Sequence, residues 1–381
     1  MSSHQPITVV GAGLGGLTLA RVLHRNGIEA AVYDLDASPT ARDQGGMLDM
    51  HEESGQAALR AAGLFEQFCG IVHPGGEAMR ILDKDATVRW EDSGGGNRPE
   101  VNRSALRDIL LAALPADTIR WGAKVTGVRP LGDGRHEVTL ADGNMFTTDL
   151  LIGADGAWSK VRPLVSDATP VYCGLSFVEA HLVDADNRHP HSAALVGDGS
   201  MFALAEEKGF IAHRDGDGRL HIYIALKTPA DWATSGDIDF ADTDTAKANL
   251  LGHFADWDKQ LQTLIADSDG ALIPRPIHAL PVGHRWARTP GVTLLGDAAH
   301  LMSPFAGEGA NLAMLDGAEL AAAITAPRRH IETALAGYEQ TLFPRSEAAA
   351  AESAANLVMC FRPDAPQGLL DMMAQYRSEA D

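Results

Sequence analysis

A glycine-rich turn close to the N-terminus limits the folds open to this chain more than any other feature. Its three glycines are Gly11, Gly13 and Gly16. They directly follow the β-branched run Ile7–Val10, and residues 17–26 then carry apolar side chains at helical spacing. A second short strand is predicted over residues 29–33. Strand, glycine turn, helix and strand within about 30 residues predict a right-handed βαβ unit.

The spacing of these glycines, GxGxxG, is typical of a dinucleotide site. The motif needs glycines for a tight turn, for close approach of the backbone to a pyrophosphate and for helix–sheet packing. The helix N-terminus beyond the turn offers unpaired N–H groups and a positive dipole end to phosphates. Asp34 ends the second strand, where a carboxylate accepts hydrogen bonds from a ribose. We therefore predict dinucleotide binding by the three glycines and Asp34, with NAD and FAD both open at this point.

Two later strand ends favour FAD. Asp155 ends the apolar run that begins at Leu151, and Asp297 ends another after Gly291. Such carboxylates lie at the crevice where α/β sheets bind ligands, and Asp297 is placed to accept a ribityl hydroxyl. A glycine-rich helix start follows, whose N–H groups are suited to the pyrimidine edge of a flavin. It contains Pro304, Gly307, Gly309, Ala310 and Asn311.

Composition and charge exclude several classes of protein. The chain has 381 residues, with 31 Lys and Arg against 51 Asp and Glu, so its formal charge is −20. An acidic surface repels nucleic acid and anionic lipid, and no apolar run approaches the roughly 20 residues that span a bilayer. The N-terminus has no basic region ahead of its apolar run, so we expect a cytoplasmic protein, and we expect a monomer. Three scattered cysteines and histidines without HExxH-like spacing predict neither a dithiol centre nor a metal site.

The sequence pattern predicts an α/β protein with a Rossmann-like FAD-binding domain, an inserted β-rich substrate domain and a long C-terminal bridging helix. Short alternating runs over residues 119–153 indicate an antiparallel meander. The β-rich region contains one helical insert near residues 243–265, and residues 331–360 form the long helix. The expected bounds are 1–74, 101–168 and 282–328 for the FAD-binding domain, 75–100 and 169–281 for the substrate domain, and 329–381 for the C-terminal helical segment.

The GxGxxG, Asp155-Gly156 and Gly296-Asp297 motifs, in this order, resemble the class A FAD-dependent aromatic monooxygenases. Within that class, the stretches Gly45–Gln56 and Gly296–Gly309 look like those of the tetracycline destructases. The resemblance implies an enzyme that binds FAD, consumes NADPH as a transient co-substrate and inserts one oxygen atom of O₂ into an electron-rich phenol or enol. It implies a polycyclic aromatic substrate, most directly a tetracycline. No second GxGxxG is present for a separate NADPH domain.

Position by position, the resemblance assigns cofactor contacts. FAD contacts fall on Asp34, Asp49, Arg103 and Asp297, and Arg42 falls where the family engages NADPH. The residue types alone leave simpler roles open for Asp49, as a turn residue, and for the two arginines, as surface cations. The same holds for His51 and His300, which are also suited to packing and local hydrogen bonding.

The resemblance is weaker at the substrate positions. Glu179, Ser200 and His221 align where the family has a glutamine, an arginine and a histidine, so only the histidine is retained. His221 is the candidate for orienting a substrate oxygen, and no catalytic base is assigned. Pro304, Phe305 and Gly307 match the apolar wall beside the flavin, and Cys360 falls where the family has a methionine.

These departures leave two alternatives open. The first is a tailoring hydroxylase of another polycyclic aromatic, such as a polyketide intermediate. The second is a flavoprotein that binds a ligand without oxygenating it.

Overall fold

The computed structural model describes residues 3–41, 45–95, 98–327 and 330–380. Its chain contacts divide it into two compact units. Unit 1 comprises Met1–Val72, Arg103–Val171 and His278–Ser353, and unit 2 comprises His73–Asn102, Tyr172–Ile277 and Ala354–Asp381.

Strands and helices alternate at the start of the chain and separate into blocks later. The strands are β1 (Ser3–Val10), β2 (Ala31–Tyr33), β3 (Met47–Asp49), β4 (Met79–Leu82), β5 (Val88–Asp92), β6 (Glu100–Asn102), β7 (Ile119–Arg120), β8 (Val125–Gly132), β9 (Arg135–Leu140), β10 (Met145–Gly153), β11 (Val171–Leu182), β12 (Ser200–Ala205), β13 (Lys208–Arg214), β14 (Leu220–Lys227), β15 (Asp269–Ala279) and β16 (Val292–Leu294). The helices are α1 (Leu14–Arg25), α2 (Ala57–Ala62), α3 (Phe65–Cys69), α4 (Arg103–Ala112), α5 (Ala185–Arg188), α6 (Pro190–Val196), α7 (Thr243–His253), α8 (Lys259–Ala266), α9 (Asp297–His300), α10 (Glu308–Thr325), α11 (Ile331–Cys360) and α12 (Gln367–Ala380).

The sheet of unit 1 contains the predicted βαβ unit. Its strand order is β7-β2-β1-β10-β9-β8, with β16 beside β10. β1 runs parallel to β2 and β10, so Val9 lies between Val32 and Ile152. The meander prediction is confirmed for β8, β9 and β10, which pair antiparallel. It is wrong for β7, which pairs parallel with β2 instead. The carboxyl ends of β1, β2, β10 and β16 therefore meet at one sheet edge, where the candidate cofactor residues follow.

Helices α1 and α10 pack closely because glycines remove side chains between them. A Cβ at Gly15 would lie 2.5 Å from the Ala313 carbonyl oxygen, and one at Gly317 would lie 2.4 Å from the Gly15 carbonyl oxygen. Real Cβ atoms do not approach backbone oxygens this closely, so these positions exclude larger residues. The contact sets α10 beside the glycine turn at the start of α1.

One face of the sheet of unit 2 is apolar, and the other, which we call the polar face, mixes polar side chains with apolar ones such as Phe177 and Ile211. Its strand order is β15-β11-β14-β13-β12-β4-β5. Alternate residues such as Val178, Ile222 and Phe210 are fully buried in an apolar core that also contains side chains of α5, α6, α7 and α8. Because side chains alternate between faces, Glu179 and His221 lie on the other side. The expectation of a single helical insert is wrong, since α5 and α6 also interrupt the strands and residues 243–265 form two helices.

The long C-terminal helix α11 has the predicted bounds and is divided between the units. Its residues up to Ser353 belong to unit 1, and those from Ala354 belong to unit 2. Within the described ranges, none of the helices combines the length and the apolar character that crossing a membrane requires.

Candidate functional site

The glycine turn between β1 and α1 uses its glycines in two different ways. Gly11 has a φ of +106°, and a Cβ there would lie 2.2 Å from the Ala154 carbonyl oxygen. A Cβ at Gly16 would lie 2.1 Å from the Gly11 carbonyl oxygen. At Gly13, by contrast, no described heavy atom lies within 4 Å of a Cβ position. Protein backbone therefore excludes side chains at two of the glycines, whereas Gly13 borders open space at the N-terminus of α1, where a phosphate is able to approach.

Asp34 is held against this turn by backbone groups. Its carboxylate accepts hydrogen bonds from the N–H of Ala12 at 2.6 Å and of Asp36 at 2.8 Å, and the residue is only 7% exposed. The buried Arg107 guanidinium supports the same loop, since it donates to the carbonyl oxygens of Ala12 at 3.4 Å and Pro39 at 2.6 Å. Asp34 is thus fixed at the end of β2, with carboxylate lone pairs left for a hydroxyl.

Arg103, the first residue of α4, carries an unsatisfied donor. Its backbone N–H donates to the Gly46 carbonyl oxygen at 3.0 Å. Its side-chain Nε is buried and has no hydrogen-bond partner within the described residues. A buried guanidinium N–H without an acceptor is unfavourable, and a phosphate or hydroxyl oxygen would satisfy it. Arg42, the expected NADPH contact, lies outside the described residues.

Asp297, at the start of α9, is an acceptor without a protein partner. Its side chain is exposed, and among the described residues no group donates a hydrogen bond to it. Desolvation by the surrounding protein nevertheless raises the pKa of its carboxyl, an effect that His300, Arg103 and Arg162 oppose. Its exposed oxygens remain available to a ligand, although neighbouring protein atoms partly desolvate them. It is therefore suited to accept a hydroxyl of a ligand.

Arg162 fixes the backbone at Asp297, and Asp155 stabilises the loop that leads to Arg162. The Asp155 carboxylate accepts a hydrogen bond from Ser159 Oγ at 2.6 Å, and its pKa is raised by burial, which this hydrogen bond opposes. Arg162 is 3% exposed and donates to the carbonyl oxygens of Ala298 at 2.8 Å and Asp297 at 3.1 Å. The loop after β10 is thereby joined to the turn after β16. Both carboxylate oxygens of Asp155 accept hydrogen bonds from residues of this loop.

A polar network joins β3 to the start of α10. His51 is 1% exposed, and its ring nitrogens lie 2.8 Å from Asp49 Oδ2 and 3.2 Å from Glu308 Oε1. Asn311 is equally buried, and its amide donates to the carbonyl oxygens of Asp49 at 2.8 Å and Gly307 at 3.1 Å. Asn311 therefore fixes the helix start, while His51 links the carboxylates of Asp49 and Glu308.

The surface of this helix start is open. Pro304 and Gly307 are exposed, and Phe305, Gly309 and Ala310 are partly exposed. Gly309 has no described atom within 4 Å of a Cβ position, whereas a Cβ at Gly307 would lie 3.1 Å from the Asp49 carboxylate. The first N–H groups of α10 thus remain reachable beside an apolar surface.

His300 is part of the protein interior. Its Nε2 lies 2.6 Å from Asp316 Oδ2, and Arg345 donates to the other oxygen of Asp316 at 2.9 Å. Burial disfavours the charged imidazolium, but the Asp316 carboxylate outweighs this effect and raises the pKa of His300. The pKa of Asp316 is lowered, because His300 and Arg345 outweigh its desolvation. His300 therefore forms a buried ion pair and is not a free base.

These features together fit an FAD molecule. The open glycine turn would accept a pyrophosphate, while Arg103 would supply an unpaired donor and Asp297 an unpaired acceptor. All three lie in unit 1, at the carboxyl edge of its sheet. Together they match a ligand that carries both phosphate groups and hydroxyl groups.

The polar face of unit 2 brings a carboxylate and two histidines together. His181 and His221 are opposite each other in the β11–β14 pair, with ring centroids 4.5 Å apart. Glu179 Oε1 lies 3.5 Å from His181 Nε2 and 3.4 Å from His221 Nε2. Its other oxygen accepts a hydrogen bond from Arg275 Nε at 2.9 Å. We name Glu179, His181 and His221 the histidine–carboxylate cluster.

The environment of this cluster sets its charges. The hydrogen bond from His181, together with Arg275, outweighs desolvation and lowers the pKa of Glu179 to about 2. Desolvation, reinforced by His181, lowers the pKa of His221 to about 4. At neutral pH, Glu179 is therefore an anion that is already paired with a cation, and His221 is a neutral imidazole.

The two remaining predicted substrate positions are tied to the protein. Ser200 Oγ lies 2.9 Å from His213 Nδ1 on the neighbouring strand β13. Cys360, at the end of α11, is 3% exposed, and burial raises the pKa of its thiol to about 12. Its thiol therefore stays neutral and is inaccessible in this structure.

His181 and Arg275 escaped the sequence analysis. Neither lies in a motif. Arg275 reaches Glu179 through long-range strand pairing, whereas His181 lies two residues beyond Glu179 on the same strand and needs pairing only to meet His221. The alternation of polar and apolar residues along β11 is the one signal that could have placed Glu179 and His181 on a common face.

Known proteins resemble this chain over nearly its whole length. A family model described as an FAD binding domain matches residues 4–353. The monooxygenase asqM of Emericella nidulans is 30% identical, over 97% of this chain and 98% of its own length. A crystal structure of an HpxO variant of Klebsiella pneumoniae complexed with FAD superposes with a TM-score of 0.80 at 25% identity, covering 98% of this chain and 95% of that one.

The structure of tetracycline destructase Tet(55) also shares the fold. Its TM-score is 0.74 at 19% identity, over 97% of this chain and 94% of that one, and at this identity the likeness concerns the fold alone. Because the family model spans both the glycine turn and the Asp297 turn, the chain belongs to the FAD binding domain family.

Proposed function

We propose that this FAD-dependent monooxygenase inserts one oxygen atom of O₂ into an electron-rich carbon of a phenol or enol in a polycyclic aromatic substrate, with NADPH as reductant. The observation that carries the proposal is the sheet edge of unit 1. There the open glycine turn, the unpaired Nε of Arg103 and the unpaired carboxylate of Asp297 form a site for FAD. Bound FAD supplies the redox and oxygen chemistry, and the protein supplies binding and orientation.

Several residues of unit 1 would hold the cofactor. Gly13 and the first turn of α1 would receive the pyrophosphate, and Asp34 would accept a ribose hydroxyl. Arg103 and Asp297 would contact phosphate and ribityl oxygens, and the start of α10 would lie at the flavin ring. In this proposal Asp155 and Asn311 are positioning residues, because their polar atoms are occupied by the protein.

His221 would orient the substrate by accepting a hydrogen bond. A group whose pKa is near 4 stays neutral at physiological pH and is a weak base, so it is unsuited to remove a phenol proton. The Nε2 of a neutral imidazole nevertheless accepts a hydrogen bond from a phenol or enol O–H. His221 therefore selects for a protonated oxygen at this point of the substrate.

The charges on this face favour a tailoring hydroxylase of a polycyclic aromatic other than a tetracycline. Glu179 is anionic and its partner Arg275 is already bound to it, while Ser200 stands where the tetracycline destructases have an arginine. An enolate would find no unpaired cation in this set of residues. A substrate that donates O–H or N–H groups suits Glu179 and His221 better.

A tetracycline is the second candidate. This candidate is based on the stretches Gly45–Gln56 and Gly296–Gly309, which resemble those of the tetracycline destructases. The shared fold is compatible with this substrate and does not distinguish it from other polycyclic aromatics.

Mass spectrometry of products made under heavy-isotope O₂ tests the proposal. The purified protein is incubated with FAD, NADPH and, separately, a tetracycline or a panel of polycyclic phenols. We expect a phenol to gain one labelled oxygen atom and to accelerate NADPH oxidation. If the tetracycline gains labelled oxygen and none of the phenols does, the second candidate is established. If NADPH is oxidised but no compound gains label, the protein is a flavoprotein that binds a ligand without oxygenating it.

A further inference from the structure

The histidine–carboxylate cluster of unit 2 has the composition of a metal site. Two imidazoles and one carboxylate are a common donor set for zinc and related first-row divalent ions. One ligand atom from each of Glu179, His181 and His221 lies within 4.8 Å of the other two. The donors come from adjacent strands that pair over eight residues, so a rigid sheet holds them in place.

The distances within the cluster fit the edges of a tetrahedron. Metal–ligand bonds of about 2.0–2.2 Å at tetrahedral angles place neighbouring donor atoms about 3.4 Å apart. Glu179 Oε1 lies 3.4 Å from His221 Nε2 and 3.5 Å from His181 Nε2. Two of the three edges therefore already have the length that a bound ion requires.

The hydrogen bonding of the cluster is incomplete in a way that a metal ion would complete. The His221 side chain is 2% exposed, and its Nε2 has no hydrogen-bond partner in the described part of the chain. Arg275 binds Glu179 through Oε2, so Oε1 is left toward the two histidines. An outer partner of this kind orients a carboxylate ligand.

We propose that Glu179 Oε1, His181 Nε2 and His221 Nε2 bind one zinc-class divalent cation. Three protein donors leave a fourth tetrahedral position for water or for an oxygen of a ligand. Mg²⁺ and Ca²⁺ are excluded by the chemistry of the donors, since these ions prefer oxygen ligands. The proposal concerns unit 2 alone. A bound ion would occupy the Nε2 lone pair of His221, so a substrate oxygen would then take the fourth position on the ion in place of the direct hydrogen bond to His221 proposed above.

Calorimetric titration of FAD-loaded, EDTA-treated and desalted protein with Zn²⁺, in the absence of substrate, tests the site. Co²⁺ serves as a second probe, because a tetrahedral Co²⁺ complex has visible bands at longer wavelengths than flavin. We expect one ion per chain. His181→Ala and Glu179→Gln should each weaken binding by more than the roughly 10–100-fold that loss of an outer partner costs.

His213→Ala is the matched control, because His213 lies in the same cross-strand row but bonds to Ser200. It should leave the affinity unchanged. Flavin content and circular dichroism verify that each variant is folded, and the near-isosteric Glu179→Gln guards against a misfolded alanine variant. Absence of Zn²⁺ binding by the wild type, or equal affinities in wild type, His181→Ala and Glu179→Gln, would overturn the proposal.

Discussion

The glycine turn of unit 1 and the histidine–carboxylate cluster of unit 2 are built in opposite ways. In unit 1, Gly11, Gly16 and Asp34 belong to one βαβ unit, and neighbouring backbone excludes side chains at the two glycines. In unit 2, Glu179 and His221 are distant in sequence and meet through the β11–β14 pairing. The first site is defined by steric exclusion, and the second by the balance of charges.

This difference indicates which positions of the fold tolerate amino-acid substitutions. A residue larger than glycine at Gly16 meets a backbone oxygen that cannot move away. A glutamate at position 179 is accommodated because Arg275 approaches it from β15. The cofactor site is therefore expected to tolerate few substitutions. On the polar face of unit 2, by contrast, substitutions of charged residues are expected to change which ligand binds. Substitutions in the two regions test this contrast.

The largest effect is expected from Gly16→Ala. The new Cβ would lie 2.1 Å from the Gly11 carbonyl oxygen, and both belong to rigid backbone. We expect a loss of about 3 kcal/mol or more in the free energy of unfolding of the apoprotein, measured by urea denaturation. Gly252→Ala, in helix α7 of unit 2 with open space around it, is the control and should be neutral or slightly stabilising. Equal stability of the two variants would contradict the steric account.

His300→Gln should come next. It removes one partner of the buried Asp316, while Arg345 remains in place, so we expect a loss of about 2–3 kcal/mol in unfolding free energy near neutral pH. Because the folded pKa of His300 is raised, this contribution is present below the unfolded pKa and is lost as pH rises through the folded value. The difference between wild type and variant should therefore shrink in alkaline buffer. His284→Gln, which removes hydrogen bonds but no ion pair, serves as control.

His221→Gln tests the electrostatics of unit 2. The folded pKa near 4 lies below the ordinary value of 6.5, so the unfolded chain binds more protons between these pH values. Wild-type stability should consequently fall as pH decreases through this window, by at most about 3 kcal/mol. The variant should lose less over the same range. Chemical denaturation at several pH values with EDTA present measures the difference, and parallel curves for the two proteins would contradict a depressed pKa.

Glu179→Gln should have the smallest effect on the fold and a selective effect on the substrate. It removes an anion that we expect to accept a substrate hydrogen bond, so the KM for the phenol substrate should rise about tenfold. Steady-state NADPH oxidation measures KM. Glu206→Gln, at an exposed position, is the matched control and should leave KM unchanged. A lower KM in Glu179→Gln would instead favour a substrate that carries its own negative charge.

The cofactor region could be predicted from the sequence to a large extent. Gly11, Gly13, Gly16 and Asp34 are close in sequence, so motif spacing and the strand–helix pattern place them together. The sheet, the α1 helix and the long α11 helix follow from the same periodicities. The roles of Asp155 and Asn311 did not follow, because a motif does not reveal that their polar atoms are satisfied by the protein.

The polar face of unit 2 could not be predicted in the same way. Arg275 and His221 approach Glu179 only after β15, β11 and β14 have paired, and their spacing in sequence carries no signal. The depressed pKa values of Glu179 and His221 also depend on burial that appears only in the folded sheet. Single-sequence patterns report local geometry, whereas these properties arise from long-range contacts.

The dissociation constant of FAD, measured by flavin fluorescence for wild type, Gly13→Ala and Glu179→Gln, tests the central claim most directly. The claim is that unit 1 holds the cofactor and that the polar face of unit 2 does not. The Gly13→Ala variant should fold normally, since the added Cβ meets open space, but its methyl group would obstruct the approach of a pyrophosphate. We predict a rise of at least about tenfold, or 1.4 kcal/mol, for Gly13→Ala and no change for Glu179→Gln. Unchanged FAD affinity in Gly13→Ala, or an equal loss in both variants, would contradict the account.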